Sequence, residues 1–437
     1  MQRSDTSHGD TPQAETHYAE TVEIRGHLLD SGVLARVLDD VLEYGGDYTI
    51  SRLDLGRNHQ DESYARMEIG SADPAELQRI LMRVQIHGVN PVHPGEAVLR
   101  PAERDGIFPE DFYSTTNLET VVRVDGQWLP VHQPEMDCGL LVRDGVARTV
   151  PVSDVRVGDL IVCGATGVKV IPPWHDEEDH GFGFMSSDVS SEKPQSLQVR
   201  RIAAQMREVK EAGRRVLWVG GPAIVHTGAA PAMAELVHAG YVDVLFAGNA
   251  LATHDIEAAL FGTSLGMDLA KGRGVPHGHE HHIRAINTIR RCGSIAAAVR
   301  YGVLRTGVMH ALVTAGRDFV LVGSVRDDGP LPDVYTDVVA GQRAMRAGLA
   351  DVGFCIVVAT MLHGIATGNI LPASIPLVCV DINPATVTKL ADRGSAQAIG
   401  IVTDIGLFVE QLARELVPGH RGDHGGDHRG DHPGAES

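Results

Sequence analysis

Residues 375–406 read IPLVCVDINPATVTKLADRGSAQAIGIVTDIG and contain two apolar runs, each of which leads to an aspartate. The run LVCV ends at Asp381, and the run AIGIV is followed closely by Asp404. Pro384 stands where a helix between the two runs would begin. Near-continuous Val, Ile and Leu runs indicate strands that are buried on both faces of a parallel sheet. The stretch therefore predicts a strand, helix, strand unit of an α/β fold.

The same alternation extends over residues 195–417. Four earlier apolar runs, also separated by helical segments, read RVLWVGG, VDVLFAGNA, DFVLVGS and CIVVATMLHG. Together with the opening stretch they predict a doubly wound, Rossmann-like domain. Because crossovers between parallel strands are right-handed, the carboxyl ends of all strands should share one edge, where such folds bind ligands.

The rest of the chain follows other patterns. Residues 21–100 show the order strand, helix, strand, strand, helix, strand, which predicts a ferredoxin-like split βαβ domain of α+β type. Residues 114–173 contain short strands and two Asp-Gly turns, which predict a small β-subdomain. Residues 174–194 are expected to form an inter-domain loop. The polar ends, residues 1–20 and 418–437, are expected to be disordered.

Composition narrows the class of protein. The chain has 437 residues, 43% of them hydrophobic, and a formal net charge of −19. This charge argues against nucleic acid and anionic membranes as partners, since phosphate binding needs clustered Lys and Arg. The five cysteines are odd in number and form no CxxC pair, and we find no signal peptide or membrane segment. We therefore expect a cytoplasmic protein whose partners are small molecules or proteins.

Two histidine-rich stretches raise the question of a metal site. Residues 174–184 read WHDEEDHGFGF, but four adjacent carboxylates in a loop cannot all converge on one ion. Residues 276–284 read PHGHEHHIR and contain His277, His279, His281 and His282, without cysteines to complete a tetrahedral zinc site. We predict that neither stretch binds a metal.

Small, amide and acidic residues follow the apolar runs of the α/β region. Gly220 follows Val219, Asn249 comes shortly after Phe246, and Asp381 follows Val380. Small residues let a backbone approach a pyrophosphate, and a strand-end carboxylate can accept both hydroxyls of a ribose. This placement predicts a dinucleotide site although the usual G-x-G-x-x-G pattern is absent. Alternatively, Asp381 only caps the following helix, and the two roles are compatible.

The densest polar segment of the α/β region is VGSVRDDGPLPDVYTD, residues 322–337. Arg326 is a candidate partner for a carboxylate or phosphate. Asp327 or Asp328 is a candidate to hold an amine or to act as a base. For Asp333 a role in a plain turn is the preferred interpretation.

Several long motifs resemble one family. GFGFMSSDVSSEKP, GNALATHDIE, SVRDDGPLPDV, ATMLHGIATGN and CVDINPATVTKLADRG are similar to the archaeal-type ornithine cyclodeaminases, a family also known as the LOR/SDH bifunctional enzyme conserved region. The similarity extends over residues 20–417. It implies NAD-dependent conversion of L-ornithine to L-proline with release of ammonia. It also implies an NAD domain similar to deoxyhypusine synthase, which accounts for the missing glycine pattern.

The resemblance also implies a set of cofactor contacts at the strand ends. These residues are Asn249, Ala250, Asp328, Thr360, Met361, Leu362, His363, Asp381, Asp404 and Ile405. Gly220, at the end of the first strand of the domain, is added to the set on its position alone.

The implied chemistry needs a cation for the substrate carboxylate and a base for its ammonium groups. Arg326 or Lys193 is the expected cation, and Asp327 is the expected group near the amines if Asp328 holds the cofactor. We expect L-ornithine as the small-molecule substrate and a homo-oligomeric assembly. Two alternatives remain at this stage, a net amino-acid dehydrogenase of saccharopine or lysine type, and an inactive nucleotide or amino-acid sensor.

Overall fold

A computed structural model describes residues 17–26, 28, 32–57, 61–171, 195–264, 267–268, 280–327, 329–393 and 398–420. The chain divides into two compact units, Met1–Gly183 and Phe184–Ser437. The expected loop at 174–194, and most of both expected disordered ends, lie outside the described residues. Within the described part, no helix combines the length and apolar character needed to cross a membrane.

The first sheet of the first unit is antiparallel and has the order β2-β3-β1-β4. Two helices pack against it over a core that includes Val22, Met67 and Ile80. This arrangement is the split βαβ topology that the element order predicts. Its elements are β1 (Tyr18–Gly26), α1 (Val33–Glu43), β2 (Asp47–Asp54), β3 (Ser63–Ser71), α2 (Pro74–Gln85) and β4 (Asn90–Pro91).

The second sheet of this unit is formed by hairpins. Its strands are β5 (Val98–Pro101), β6 (Glu119–Val124), β7 (Gln127–His132), β8 (Gly139–Arg143), β9 (Val146–Val150), β10 (Leu160–Cys163) and β11 (Val168–Ile171), with a short 3₁₀ helix at Val152–Asp154. The order is β11-β6-β7-β9-β8-β10-β5. Asp125 and Gly126 connect β6 to β7 with φ values of 52° and 77°, as a type I′ turn requires.

The boundary between the two sheets differs from the sequence-based one at residue 100. β5 pairs with β10 throughout its length, so Val98–Pro101 belongs to the second sheet. The Asn90 side chain also joins the two sheets, because its Nδ2 donates to Val170 O and its Oδ1 accepts from Val170 N, both at 2.9 Å. The Asn90 side chain thus forms with the backbone of Val170 the two hydrogen bonds that a neighbouring strand would otherwise form.

The second unit contains a seven-stranded, fully parallel sheet of order β17-β16-β13-β12-β18-β19-β20. Its strands are β12 (Arg215–Gly220), β13 (Val244–Gly248), β16 (Asp318–Val322), β17 (Val334–Tyr335), β18 (Val352–Val358), β19 (Leu377–Asp381) and β20 (Ala398–Val402). A separate ribbon consists of β14 (Thr263–Ser264) and β15 (Met267–Asp268).

Helices cover this sheet. They are α3 (Gln195–Glu211), α4 (Ala223–His226), α5 (Ala230–His238), α6 (Asn249–Phe261), α7 (His281–Cys292), α8 (Ile295–Arg300), α9 (Val308–Thr314), α10 (Val338–Gly348), α11 (Leu362–Ile370), α12 (Pro384–Arg393) and α13 (Ile405–Leu416). One core, which includes Leu217, Phe246 and Val357, packs against residues of α10, α11 and α12. The α/β class and the Rossmann-like, doubly wound sheet are confirmed.

The strand order reverses between β12 and β18. From β12 the chain moves outward through β13 to β16, and from β18 it moves the opposite way through β19 to β20. In such folds the loops that leave the two central strands diverge and open a crevice. The loops after Gly220 and Val358 border this crevice.

Candidate functional site

The two loops at the crevice approach each other closely. A Cβ added to Gly221 would lie 1.8 Å from the carbonyl oxygen of Ala359, so only glycine fits there. Gly221 also donates its N–H to Val358 O at 2.8 Å. Ala359 has a φ of 52°, a left-handed conformation that is uncommon for alanine. Backbone strain of this kind is concentrated at functional sites, which supports a ligand site at this point.

Gly220 has a different environment from its neighbour. A Cβ at this residue would lie 2.7 Å from Leu251 Cδ1, inside the packing of β12 against α6. Gly220 is buried, and its need for glycine is explained by packing. The role of Gly220 toward a cofactor stays a prediction.

Asn249 connects the end of β13 to the polar loop after β16. Its Nδ2 donates to Asp327 Oδ1 at 3.1 Å, while its Oδ1 accepts from Leu331 N at 3.1 Å. Asp327 Oδ2 in turn accepts from Ser324 N at 2.7 Å. The amide and the carboxylate therefore fix the shape of the loop between them. Both oxygens of Asp327 are already hydrogen-bond acceptors.

His363 brings the loop after β18 to the same place. Its Nε2 lies 3.3 Å from Val322 O, and a Cβ at Gly248 would lie 3.2 Å from its Cε1. Burial lowers the pKa of His363, against the smaller raising effects of Val322 O and Asp327. A neutral imidazole that donates to a carbonyl fits this environment. The structure thus brings Asn249, Asp327 and His363 together.

Asp381 and Asp404 are at the ends of the next two strands. Asp381 is nearly buried, and its Oδ1 accepts from Asn383 N at 2.8 Å, which is the capping role considered above. No described residue donates to its other oxygen. Asp404 caps α13 by accepting from Leu407 N at 2.9 Å. The side chain of Ile405 is buried in the core, so only its backbone can reach a ligand.

Apolar side chains are exposed along the same edge of the sheet. Met361 and Leu362 are exposed after β18, Ile382 after β19, and Val325 after β16. Exposed apolar side chains beside polar groups are typical of sites for planar, partly apolar ligands. With the close backbone contact at Gly221 and the Asp381 oxygen that no described residue contacts, these residues fit a dinucleotide.

The remaining candidates are less constrained. Arg326 is exposed, and its backbone N–H donates to Ser324 Oγ at 3.3 Å, while its guanidinium forms no hydrogen bond or ion pair with another residue in the described part of the chain. Ala250 is exposed and Thr360 is half-buried. Lys193 and Asp328 lie outside the described residues.

A polar network on α4, α6, β14 and α7 was not identified from the sequence. His254 Nδ1 lies 2.9 Å from Glu257 Oε2, and Thr263 Oγ1 lies 3.0 Å from Glu257 Oε1. The His226 and His254 rings are 4.9 Å apart. The spacing of His254 and Glu257, three residues apart on a helix, is the signal that could have indicated the pair.

The histidine-rich stretch of residues 276–284 is described only in part. His281 Nδ1 contacts Thr263 Oγ1 at 2.8 Å, and its ring stacks on Phe261. His277 and His279 lie outside the described residues. Within the described ranges, no group of three or more His, Cys, Asp or Glu side chains is arranged to hold a metal ion.

Three family models match consecutive parts of the chain. The LOR/SDH bifunctional enzyme conserved region matches residues 19–118. The first region of the arginine dihydrolase ArgZ-like C-terminal part matches residues 119–199, and its Rossmann fold matches residues 200–412. The matches leave only the two ends of the chain uncovered.

Individual relatives are similar over the same length. Ornithine cyclodeaminase from Methanothermobacter thermautotrophicus is 50% identical over 90% of this chain and 97% of its own length. The apo crystal structure of ArgZ, a cyanobacterial arginine dihydrolase, superposes with a TM-score of 0.80 at 34% identity, over 92% of this chain and 58% of ArgZ. The crystal structure of AgrE with ornithine and NAD+ superposes with a TM-score of 0.50 at 38% identity, over 92% of this chain and 57% of AgrE. This chain therefore spans little more than half the length of ArgZ and AgrE.

Proposed function

The chain belongs to the ornithine cyclodeaminase family, and we infer that it converts L-ornithine into L-proline and ammonia with NAD+ as an internally recycled cofactor. The observation that carries this conclusion is the 50% identity to an archaeal ornithine cyclodeaminase across 97% of that protein. AgrE, another relative, has been crystallised with the same pair of ligands, ornithine and NAD+. The acidic, amide and exposed apolar residues at one sheet edge are chemically suited to that pair.

The net reaction consumes neither an oxidant nor a proton. L-Ornithine with two ammonium groups and one carboxylate carries one positive charge, and zwitterionic L-proline plus one ammonium ion carries the same charge. When bound, NAD+ supplies an acceptor for the α-hydride and the same hydride later completes the saturated ring. The protein must therefore retain the substrate and exclude water until ring closure is complete.

The proposed cofactor residues offer three kinds of contact, which are hydrogen-bond acceptors, apolar surfaces and backbone N–H donors. Asp381 Oδ2 is an acceptor for ribose hydroxyls, while Met361 and Leu362 offer apolar contact to a planar ring. The first turn of α13, at Asp404 and Ile405, offers backbone N–H groups. The full proposed set is Gly220, Asn249, Ala250, Asp328, Thr360, Met361, Leu362, His363, Asp381, Asp404 and Ile405.

The proposed substrate contacts use the loop after β16 and the segment before α3. The exposed Arg326 guanidinium, or Lys193, binds the α-carboxylate, which Arg can do in a bidentate manner. Asp327 attracts a substrate ammonium group by its charge. Because both of its oxygens already accept hydrogen bonds, Asp327 is better suited to this electrostatic role than to proton transfer.

The decisive test is purified protein with L-ornithine and a catalytic amount of NAD+. We expect equal amounts of proline and ammonia, many turnovers per NAD+, and no net NADH. NADH formed in proportion to consumed ornithine would contradict the proposal in favour of a net dehydrogenase. NAD+ binding without any product would contradict it in favour of a sensor.

Cytoplasmic location and self-association are further parts of the proposal. All five cysteines are free, and four of them are buried, which suits a reducing compartment. The edge strand β2 exposes Ile50 and Leu53, and unpaired edges of this kind favour pairing with a second chain. Light scattering during size-exclusion chromatography should give a mass above that of one chain, and replacement of Ile50 by Lys should lower it.

A further inference from the structure

The polar network on α4, α6, β14 and α7 has the composition of a proton-transfer centre. His254 and Glu257 form a pair at 2.9 Å, with the His254 side chain 12% exposed and the Glu257 side chain fully buried. His226 Nδ1 contacts Ser264 Oγ at 2.7 Å, and its ring lies 4.9 Å from that of His254. His254 therefore contacts a buried carboxylate and lies beside a second imidazole, which in turn contacts a hydroxyl.

The arrangement fixes the orientation of His254. Glu257 contacts Nδ1 of the ring, so the other nitrogen, Nε2, is the one that can act on a second group. Thr263 Oγ1, at 3.0 Å, contacts the opposite oxygen of Glu257 and holds the carboxylate in place. A buried carboxylate that orients an imidazole is the usual construction of an enzymatic general base.

The two histidines lie on helices that begin at the carboxyl-terminal edge of the parallel sheet. His226 follows Pro222 of the crevice loop by four residues, which is about 6 Å along a helix. His254 follows Asn249 by five residues on α6, which is about 7.5 Å along its axis. Both imidazoles thus belong to the elements that leave the two strand ends β12 and β13, where the candidate site lies.

The proposed reaction requires a group of this kind. An amine must lose a proton before hydride can leave its carbon or before it can attack, and the departing nitrogen must gain a proton to leave as ammonium. Because the net reaction is proton-neutral, the same group can take up one proton and later return it. Histidine is the side chain whose charge changes near neutral pH. Asp327, the candidate from sequence, accepts hydrogen bonds from Asn249 and from Ser324 that fix the shape of the loop.

We propose that His254 is a catalytic residue that accepts a proton from a substrate amine at Nε2 and returns it to the departing ammonia. Glu257 is the positioning residue that orients His254, and His226 is the neutral imidazole beside it. This inference rests on the proposed cyclodeaminase function. Burial is the main cause that lowers the pKa of His226, and repulsion from His254 lowers it further, against a smaller raising effect of Glu257.

Other titratable groups around α6 contribute to the pH dependence. From α7, His281 reaches Thr263, and the His282 ring lies 6.5 Å from that of His254. Asp255 on α6 points away to α9, where its two oxygens accept from Val308 N and Met309 N. The pH profile of kcat should therefore show an acidic limb that belongs to the coupled imidazoles and Glu257 together.

The test compares His254→Gln, Glu257→Gln and a control, His420→Gln. His420 is also buried and contacts two carboxylates, Glu235 at 2.6 Å and Glu410 at 2.9 Å, but it follows the far end of α13. His254→Gln should lower kcat about 10²- to 10⁴-fold, the usual contribution of general acid–base catalysis. NAD+ affinity should stay within about twofold, because the cofactor contacts are elsewhere. Glu257→Gln should lower kcat less and shift the acidic limb, whereas His420→Gln should leave kcat and the limb unchanged.

A second measurement does not depend on turnover. Imidazole NMR of the cofactor-free protein should show that Glu257→Gln moves the ring resonances of His254, because the contact of the carboxylate with Nδ1 is lost. Unchanged His254 ring resonances would contradict the role of Glu257 in orienting this imidazole. Full kcat in a folded His254→Gln protein would overturn the catalytic role while leaving the cyclodeaminase function intact. If the wild-type protein makes no proline, the proposed function fails, and with it the role of His254.

Discussion

The two edges of the seven-stranded parallel sheet use carboxylates in different ways. At the amino-terminal edge, Asp243 is buried and contacts Lys210 Nζ at 2.7 Å and Arg317 Nη1 at 2.8 Å, and it also accepts from Val216 N at 2.9 Å. Its charge is balanced inside the fold. This carboxylate holds α3, β12 and the start of β16 together.

At the carboxyl-terminal edge, three carboxylates lack a cationic partner among the described residues. Asp327, Asp381 and Asp404 accept hydrogen bonds from backbone N–H groups or from Asn249, and none of them pairs with a Lys or Arg among the described residues. Aspartate therefore stabilises the fold at one edge through ion pairs, whereas at the other edge its negative charge is not neutralised by a described Lys or Arg. Carboxylates without a cationic partner are suited to a ligand that brings hydroxyl or ammonium groups.

The largest effect on stability should come from the amino-terminal edge. Asp243→Ala leaves Lys210 and Arg317 without their shared acceptor, and removal of one partner from such a pair costs about 3–5 kcal/mol of unfolding free energy. Denaturant unfolding of the full chain measures this loss. Asp318→Ala removes the exposed pair with Arg215 and should cost less than about 1 kcal/mol. Equal losses of unfolding free energy in the two variants would contradict a special stabilising role of the buried Asp243.

The next effect concerns the close contact at the crevice. Gly221→Ala places a Cβ 1.8 Å from Ala359 O, so the two loops must separate, at a cost of about 1–3 kcal/mol and with weaker NAD+ binding. Gly368→Ala on α11 is the matched control, since its Cβ would meet only Leu390 at 3.8 Å. Calorimetric titration with NAD+ and thermal unfolding measure both effects. Unaltered NAD+ affinity in Gly221→Ala would separate the crevice from the cofactor site.

A variant of Asp381 tests directly whether the carboxylates of the carboxyl-terminal edge bind the cofactor. Asp381→Asn keeps an acceptor for Asn383 N but removes the charge, so NAD+ affinity should fall about 10- to 100-fold with little loss of stability. Asp337→Asn is the control, because Asp337 also caps a helix at this edge, α10, without a proposed cofactor contact. Equal NAD+ affinity in the Asp381 variant and the wild-type protein would remove Asp381 from the ribose role.

The smallest effect is expected at Asp404. Asp404→Ala removes the cap of α13 and should cost about 1 kcal/mol of unfolding free energy. Its effect on NAD+ affinity should be weaker than that of Asp381→Asn, since Asp404 is exposed. A larger loss of affinity at Asp404 would place the ribose at β20 and not at β19.

Local sequence patterns predicted much of this fold. The apolar runs identified six strands of the parallel sheet, and the Asp125–Gly126 step identified a hairpin turn, because each signal depends on neighbouring residues. The two-residue strand β17 was missed because it is too short to show a period. No local pattern indicated the pairing of β5 with β10, since β10 is about 60 residues further along the chain.

The site was predictable only in part, because its side chains come together from segments that are far apart in the sequence. Strand ends gave the positions of Asn249, Asp327 and Asp381, but not that the side chains of the first two meet across 78 residues. That contact adds a structural role for Asp327, because its carboxylate holds the loop after β16 in shape. The pairing of His226 with His254 depends on how α4 packs against α6, which no single segment of sequence encodes.

The amide bridge from Asn90 to Val170 determines how the first unit can be divided. A fragment that ends at residue 100 would lose both acceptor and donor for Asn90 and would leave β5 without β10. The split βαβ sheet and the hairpin sheet are thus one cooperative unit, and they should melt in a single transition. A fragment intended for separate study of this unit should therefore extend at least to Ile171, the end of β11.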